Sequence, residues 1–194
     1  MVKIKICGIR RLEDIRIVNR YKPDYIGFVF ADSKRQVSHD LASKLKGNLD
    51  SDIISVGVFV DAEPEEIIEL FGSGVIEIAQ LHGNESEEYI NDLKEKTDGE
   101  LKVIKAIEMS KDNDLSYYDN LNVDYLLLDS GKGSGKTFDW RLIKSDLKKD
   151  FFLAGGIDST NVKQAIEQFN PYAIDLSSSL ETDGFKDENK IKEI

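Results

Sequence analysis

Phe151-Phe152-Leu153-Ala154-Gly155-Gly156-Ile157-Asp158 and, after a helix-length interval, Tyr172-Ala173-Ile174-Asp175-Leu176-Ser177-Ser178-Ser179 form the stretch whose reading decides the fold. Each half is a short apolar run that stops on glycine or serine. Between them Ser159-Thr160-Asn161-Val162 opens a polar, helix-like segment. Strand, crossover helix and a second strand of the same kind make the unit of a parallel sheet. Working outward, the unit recurs. Apolar runs rich in β-branched or aromatic residues lie at 2–7, 25–30, 54–60, 76–81, 102–107 and 125–129, bounded by Gly, Asp, Asn or Pro, and read as buried strands. Helix-like segments follow at 12–21, from Ser38, from Glu63-Pro64, at 85–96, at 111–120, at 140–145 and at 187–194. Ser38 is an expected N-cap, and Pro64 suits a first helical turn. Eight strands, each followed by a helix, predict an α/β chain folded as a (β/α)8 TIM barrel, one domain over residues 1–194. At about 24 residues per unit the barrel is near minimal length, so its loops are short and it has no room for an inserted domain. The competing arrangement is an open doubly wound sheet with fewer strands.

The charge balance narrows the partners. Lysine and arginine number 26 against 37 acids, a formal charge of −11. Duplex DNA, RNA and anionic membranes each call for a net basic surface, so no nucleic acid and no membrane is expected as the main partner. An anionic ligand must then be held by local cations and backbone N–H groups against the mean field. The single cysteine, Cys7, excludes an internal disulfide and a zinc–cysteine cluster. The N-terminal apolar run is too short and too interrupted by lysine for a signal peptide, and no run approaches the ~20 residues of a membrane span. The expectation is a soluble, reduced, cytoplasmic protein.

Barrel chemistry belongs to the C-terminal ends of strands and the loops beyond them. Those positions hold Cys7, the Ser33-Lys34-Arg35 loop, His82, Asp129, Gly155-Gly156 and Ser177-Ser178-Ser179. The loops after strands seven and eight often cradle phosphate. Glycine admits close approach there, and backbone N–H and serine hydroxyl groups donate to the oxygens. The bland alternative is a glycine turn and a serine helix cap. Cys7 and Asp129 supply one possible base and one possible acid, although inert buried cysteines and turn-forming aspartates are common. Arg35 can grip a carboxylate bidentately, which Lys34 cannot. His82 stands alone, with no acid–histidine spacing suited to a metal, so no metal site is expected. Gly131 to Thr137 is a near-miss of a nucleotide-binding loop: Ser130 stands where its first glycine belongs, and the segment reads as a glycine-rich lid.

Assembled in order, these pieces resemble the phosphoribosylanthranilate isomerase family of tryptophan biosynthesis. The matching segments are Lys5-Ile6-Cys7-Gly8-Ile9, Gly27-Phe28-Val29-Phe30 with Ser33-Lys34-Arg35, Val56-Gly57-Val58-Phe59, Gln80-Leu81-His82-Gly83, Leu128-Asp129, Gly133 to Trp140, Ala154-Gly155-Gly156-Ile157 and Asp175-Leu176-Ser177-Ser178. The Lys-Ile-Cys-Gly opening together with Gly-Lys-Thr-Phe-Asp-Trp is the specific part. The resemblance implies an Amadori rearrangement of an aminoaldose to an aminoketose with no metal or organic cofactor. It implies Asp129 as general acid on the furanose oxygen and Cys7 as general base on the adjacent carbon. Arg35 would hold the anthranilate carboxylate, and Gly155, Gly156, Ser177 and Ser178, with Ser179, the phosphate. His82 and Asp175 would lie near the substrate. The small phosphorylated substrate is the expected partner, with the chain a monomer or homodimer. Two departures stand out: Arg10-Arg11 replaces the usual Thr-Asn, and Ser179 replaces a glycine, which would be strained if that position needs positive φ.

The roles set conditions. A cysteine near ~8.5 needs positive potential, such as Lys5, to act as a base; an aspartate near ~3.9 needs burial or a negative neighbour to act as an acid. Two other readings remain: a phosphate-ligand-binding barrel without turnover, and a related sugar-phosphate isomerase. A two-phosphate substrate would need a second anion site beside strands three and four, where Asp61-Ala62-Glu63 stands instead.

Overall fold

In the computed structural model, eight parallel strands close into a barrel in sequence order. The structure describes residues 2–110, 114–130, 140–143 and 147–194. The strands are β1 (Lys3–Cys7), β2 (Tyr25–Val29), β3 (Ile54–Phe59), β4 (Ile78–Leu81), β5 (Lys102–Glu108), β6 (Tyr125–Asp129), β7 (Phe151–Leu153) and β8 (Ala173–Leu176). Closure rests on β1 pairing with β8 in parallel, Lys3 opposite Ala173 through Ile6 opposite Leu176, and this removes the open doubly wound alternative.

The two-residue period of a strand sorts the side chains. On β1, Ile6 joins the large core between sheet and helices, while Lys5 and Cys7 alternate with it and point into the barrel. The lower interior is filled by Tyr25, Val56, Ile78, Ile104, Leu127 and Phe152. Above that plug, Cys7 packs with Val29 and Val58 near the mouth. Gly27 makes room for the thiol: a Cβ there would lie 2.7 Å from Cys7 Sγ.

The outer ring comprises α1 (Leu12–Tyr21), α2 (His39–Lys46), α3 (Pro64–Gly72), α4 (Glu87–Lys96), α5 (Leu115–Asn120), α6 (Val162–Phe169) and α7 (Glu188–Lys192). Ser38 caps α2 by accepting from Leu41 N–H, and Pro64 occupies the first turn of α3. Several boundaries differ from the sequence reading. β4 starts two residues late, because Ile76 N–H is committed to Leu70 O at the end of α3. Helix α4 starts at Glu87 behind the cap Ser86, since the Glu85 carboxylate is drawn into the loop by Gly83 and Asp61 N–H. The segment expected at 140–145 is a single 3-10 turn, Trp140–Leu142, and 144–146 lie outside the described residues. So do 111–113 of the fifth expected helix and residues 131–139, which include the glycine-rich segment 131–137. After β8 the chain makes a 3-10 turn, Ser178–Leu180, and then a small antiparallel hairpin, β9 (Glu181–Thr182) with β10 (Phe185–Lys186), which the apolar pattern did not reveal. Among the described residues no helix is long and apolar enough to cross a membrane.

Candidate active site at the barrel mouth

The C-terminal strand ends surround a cavity of about 1400 Å³. Cys7, Ser33, Arg35, His82, Asp129, Gly155, Gly156, Asp175, Ser177, Ser178 and Ser179 all line it, so the residues singled out at the strand ends, Lys34 excepted, share one opening. Among the described residues, four buried side-chain polar atoms have no partner in the protein. Three of them, Gln80 Oε1, Asp175 Oδ1 and Ser179 Oγ, belong to residues of this cavity. Buried polar atoms are nearly always paired, so their concentration at one site marks a surface built to meet a polar ligand. Gln80 was legible only as part of a motif, and its orphaned oxygen adds it to the site.

Asp129 closes β6. It is largely buried, and Ser130 N–H donates to its Oδ1 at 2.7 Å. His82 Nε2 lies 3.4 Å from its Oδ2. Gln80 Nε2 is 3.1 Å from His82 Nδ1; with the amide donating, Nδ1 accepts and Nε2 carries the hydrogen that faces Asp129. Burial pushes the Asp129 carboxyl up, but His82 and the Ser130 donors outweigh it and hold the group below the usual aspartate value. The burial anticipated for an acid is present, yet here the partners win.

Cys7 is a free, buried thiol. Burial raises it above its ordinary value, while Lys5 and Lys186 pull the other way and Asp175 adds to the rise. Lys5 is fully buried and donates to Asp175 Oδ2 at 2.9 Å. Against the cost of its burial, Asp175 and Cys7 keep Lys5 above the normal lysine value. Burial lifts Asp175 above an ordinary carboxylate, despite the opposing pull of Lys5; Asp129 adds to the rise. Thus the positive potential expected from Lys5 exists beside an opposing carboxylate, Asp175; Lys186, which the sequence did not assign, adds to it, and burial still leaves the thiol above its ordinary value.

Arg35 sits beside Gly8, and its fork is occupied from within. Its Nε and Nη2 each donate at 2.7 Å to the two oxygens of Glu181, so the bidentate face of the guanidinium is already taken. The Glu181 bond holds the Arg35 guanidinium above its ordinary value against burial. Arg10 latches the surrounding loops: it donates to Lys34 O at 2.7 Å and to Gly184 O, and Arg10 and Arg11 lie over the Phe185 ring at 4.4 and 4.1 Å. The two arginines that depart from the family pattern therefore fasten the β9–β10 hairpin to the mouth.

On the other side, Gly155 and Gly156 have φ of +80° and +68°. Ser177 Oγ donates to Cys7 O at 3.2 Å. Ser179 lies in the 3-10 turn with negative φ, so the strain considered for a non-glycine residue there does not arise, and its buried hydroxyl is available as a donor. Near β4 and β5, Lys105 Nζ pairs with Glu85 Oε2 at 2.7 Å and also donates to Gly83 O, stiffening the opposite rim. Asp61 accepts from Asn84 N–H in the same region. Among the described residues no group of three or more His, Cys, Asp or Glu is arranged to hold a metal ion.

Fold and mouth together define the class, a (β/α)8-barrel enzyme with acid–base groups at the strand ends. The model of the N-(5'-phosphoribosyl)anthranilate isomerase family matches residues 4–194. The N-(5'-phosphoribosyl)anthranilate isomerase of Clostridium acetobutylicum is 48% identical over 200 residues, covering 99% of this chain and 95% of that one. Among solved structures, a phosphoribosyl anthranilate isomerase in complex with reduced 1-(o-carboxyphenylamino)-1-deoxyribulose 5-phosphate superposes with a TM-score of 0.86 at 36% identity, covering 100% of this chain and 96% of that one. Monomers of the dimeric enzyme from Thermotoga maritima give the same score, identity and coverage. The chain belongs to the N-(5'-phosphoribosyl)anthranilate isomerase family.

Proposed function

We propose that this chain, as one barrel domain over residues 1–194, converts N-(5'-phosphoribosyl)anthranilate to 1-(2-carboxyphenylamino)-1-deoxyribulose 5-phosphate in tryptophan biosynthesis, with Asp129 as acid and Cys7 as base. Protonated Asp129 gives its proton to the furanose oxygen. The C1–O bond breaks, and the anilino nitrogen lone pair forms the iminium. Cys7 thiolate removes the C2 proton, and the C–H electron pair forms the C1–C2 double bond of the enolamine while nitrogen regains its lone pair. The enol hydroxyl then loses its proton and C1 gains one, giving the ketone. The single observation that carries this reading is the convergence of Cys7, from β1, and Asp129, from β6, on one cavity whose walls hold three orphaned polar atoms.

The first half of the reaction leaves Cys7 as a thiol and Asp129 as a carboxylate. Those are the states toward which burial of the thiol and the His82 contact bias the two groups in the ligand-free protein. The enolamine-to-ketone step resets both groups: the enol hydroxyl gives its proton to the Asp129 carboxylate and the Cys7 thiol gives its proton to C1. Arg35 is the donor for the anthranilate carboxylate. Backbone N–H groups around Gly155 and Gly156 and the hydroxyls of Ser177, Ser178 and Ser179 take the phosphate. His82 and Asp175 border the sugar. The acidic rim at Asp61 and Glu63 disfavours a second phosphate, which supports this substrate over a two-phosphate relative. The protein acts in the cytoplasm, as a monomer or a homodimer like the Thermotoga maritima relative. The test is loss of substrate fluorescence on adding pure protein, with Cys7→Ala as control. Conversion by the wild type and none by the variant is the expected result; ligand binding without conversion by the wild type sinks it in favour of a binding barrel.

A further inference from the structure

Lys186 is a fully buried cation that the mechanism above does not use. It lies on β10, outside the cavity wall, and donates to Ser177 O at 3.0 Å and to Glu181 Oε1 at 2.8 Å. Ser177 in turn donates its hydroxyl to the Cys7 carbonyl, so the hairpin is tied through Ser177 to the end of β1. Glu181 cannot neutralise Lys186 alone, because the same carboxylate takes both bonds from Arg35.

The charged groups around Cys7 come from five places. They are Lys5 on β1, Asp175 on β8, Arg35 in the β2–α2 loop, Glu181 on β9 and Lys186 on β10. Lys5 and Asp175 form one pair. Arg35 and Lys186 share one carboxylate, which leaves this side one positive charge in excess. A lysine held at no exposure is costly to bury and persists only where it is well paired or where its charge is wanted.

We infer that Lys186 is a positioning residue for the isomerisation: the hairpin after β8 carries it in behind Cys7 so that an uncancelled positive charge supports the thiolate form of the base. This rests on the assignment of Cys7 as base. It gives the hairpin a purpose beyond capping the barrel. The electrostatics agree in sign: Lys186 pulls Cys7 down, and Cys7 pushes Lys186 up against the burial that lowers it.

Because Cys7 is the only cysteine, its alkylation by iodoacetamide reads the thiolate of one residue without reference to turnover. In Lys186→Met the apparent pKa of alkylation is expected to rise by about one pH unit or more, the usual effect of removing a close opposite charge. Lys186→Arg is expected to restore the wild-type profile. At neutral pH, kcat in Lys186→Met falls about tenfold per unit of that rise, with KM held. An unchanged alkylation profile in a folded Lys186→Met protein overturns the inference. If that variant does not fold, the coupling is read from the other side: by reciprocity the Lys186 ammonium, followed by NMR, titrates lower in Cys7→Ser than in wild type, and an equal value overturns the inference. Undiminished turnover in Cys7→Ala overturns the base assignment, and is distinguishable because the alkylation result stands apart from activity.

Discussion

Gly155→Ala tests whether the phosphate side of the mouth is built as tightly as the structure shows. Gly155 has φ of +80°, and a methyl group there would lie 2.6 Å from Ser130 N, 2.6 Å from Ser130 Oγ and 2.8 Å from its Cβ. Two costs add. Holding alanine in the left-handed region costs ~1–2 kcal/mol. Forcing a methyl against a backbone nitrogen that cannot swing away adds ~1–3 kcal/mol of overpacking. The sum is about 2–5 kcal/mol from these two sources. Gly74 provides the internal control, with φ of +73° and nothing within 4 Å of the added methyl. Gly74→Ala thus carries only the backbone part, ~1–2 kcal/mol. Urea unfolding by linear extrapolation measures both. The same displacement moves Ser130 N–H away from Asp129 Oδ1, so kcat falls in Gly155→Ala and not in Gly74→Ala. Equal destabilisation in the two variants, within about 0.5 kcal/mol, refutes the steric reasoning, because surface-like changes fall in that range.

Cys7→Ala and Asp129→Asn are each expected to lower kcat about 10²–10⁴-fold with circular dichroism unchanged, the ordinary yield of a positioned acid or base. Arg35→Lys keeps the charge but loses the fork, so KM for the carboxylate-bearing substrate rises about tenfold, as for one charge-assisted hydrogen bond, in a steady-state fluorescence assay. Lys105→Met strands the Glu85 carboxylate and is expected to cost about 3–5 kcal/mol in urea unfolding, with Lys105→Met/Glu85→Gln recovering part of it. Burial pushes the Glu181 carboxyl up, but Arg35 and Lys186 hold it below its ordinary value of 4.5. Its stabilising contribution is therefore full above the unfolded value and lost as pH falls through the lower folded one. Urea midpoints from pH 7 to pH 3 should fall less steeply in Glu181→Gln than in wild type; parallel curves contradict the assignment.

What could be read in advance follows the range of the interactions. Strand runs carry a two-residue period and glycine or serine ends, so the barrel and the mouth positions of Cys7, His82, Asp129 and Gly155-Gly156 were legible from short windows of sequence. The state of those groups was not. Asp129 was expected to need burial, and it has burial, but His82, just beyond the end of another strand, β4, reverses the balance. Arg35 advertised a fork for a carboxylate; that the fork meets Glu181 depends on a hairpin of two-residue strands, too short to produce any hydrophobic period. Lys186 carries no sequence signal of its own; it is buried on the β9–β10 hairpin, whose Phe185 packs under Arg10 and Arg11. Whether Ser179 would be strained turned on the sign of a backbone angle, which residue identity alone does not give.

The Lys5–Asp175 pair, described above for its effect on the thiol, also bears on how the chain avoids its neighbours before the barrel closes. β1 and β8 are the two edges of the sheet until they meet, and the partners are 170 residues apart in the chain. During synthesis β1 waits with one ladder of N–H and C=O groups unpaired while the other strands are made. A flat apolar edge in that position invites pairing with another chain, and an inward-facing charge on the edge opposes it. Lys5 on one edge and Asp175 on the other repel the wrong strand, which would bury a lone charge, and accept the right one, which neutralises it. The ion pair thus favours β8 over a second β1 as the strand that pairs with this edge, since two β1 edges would set one buried lysine against another.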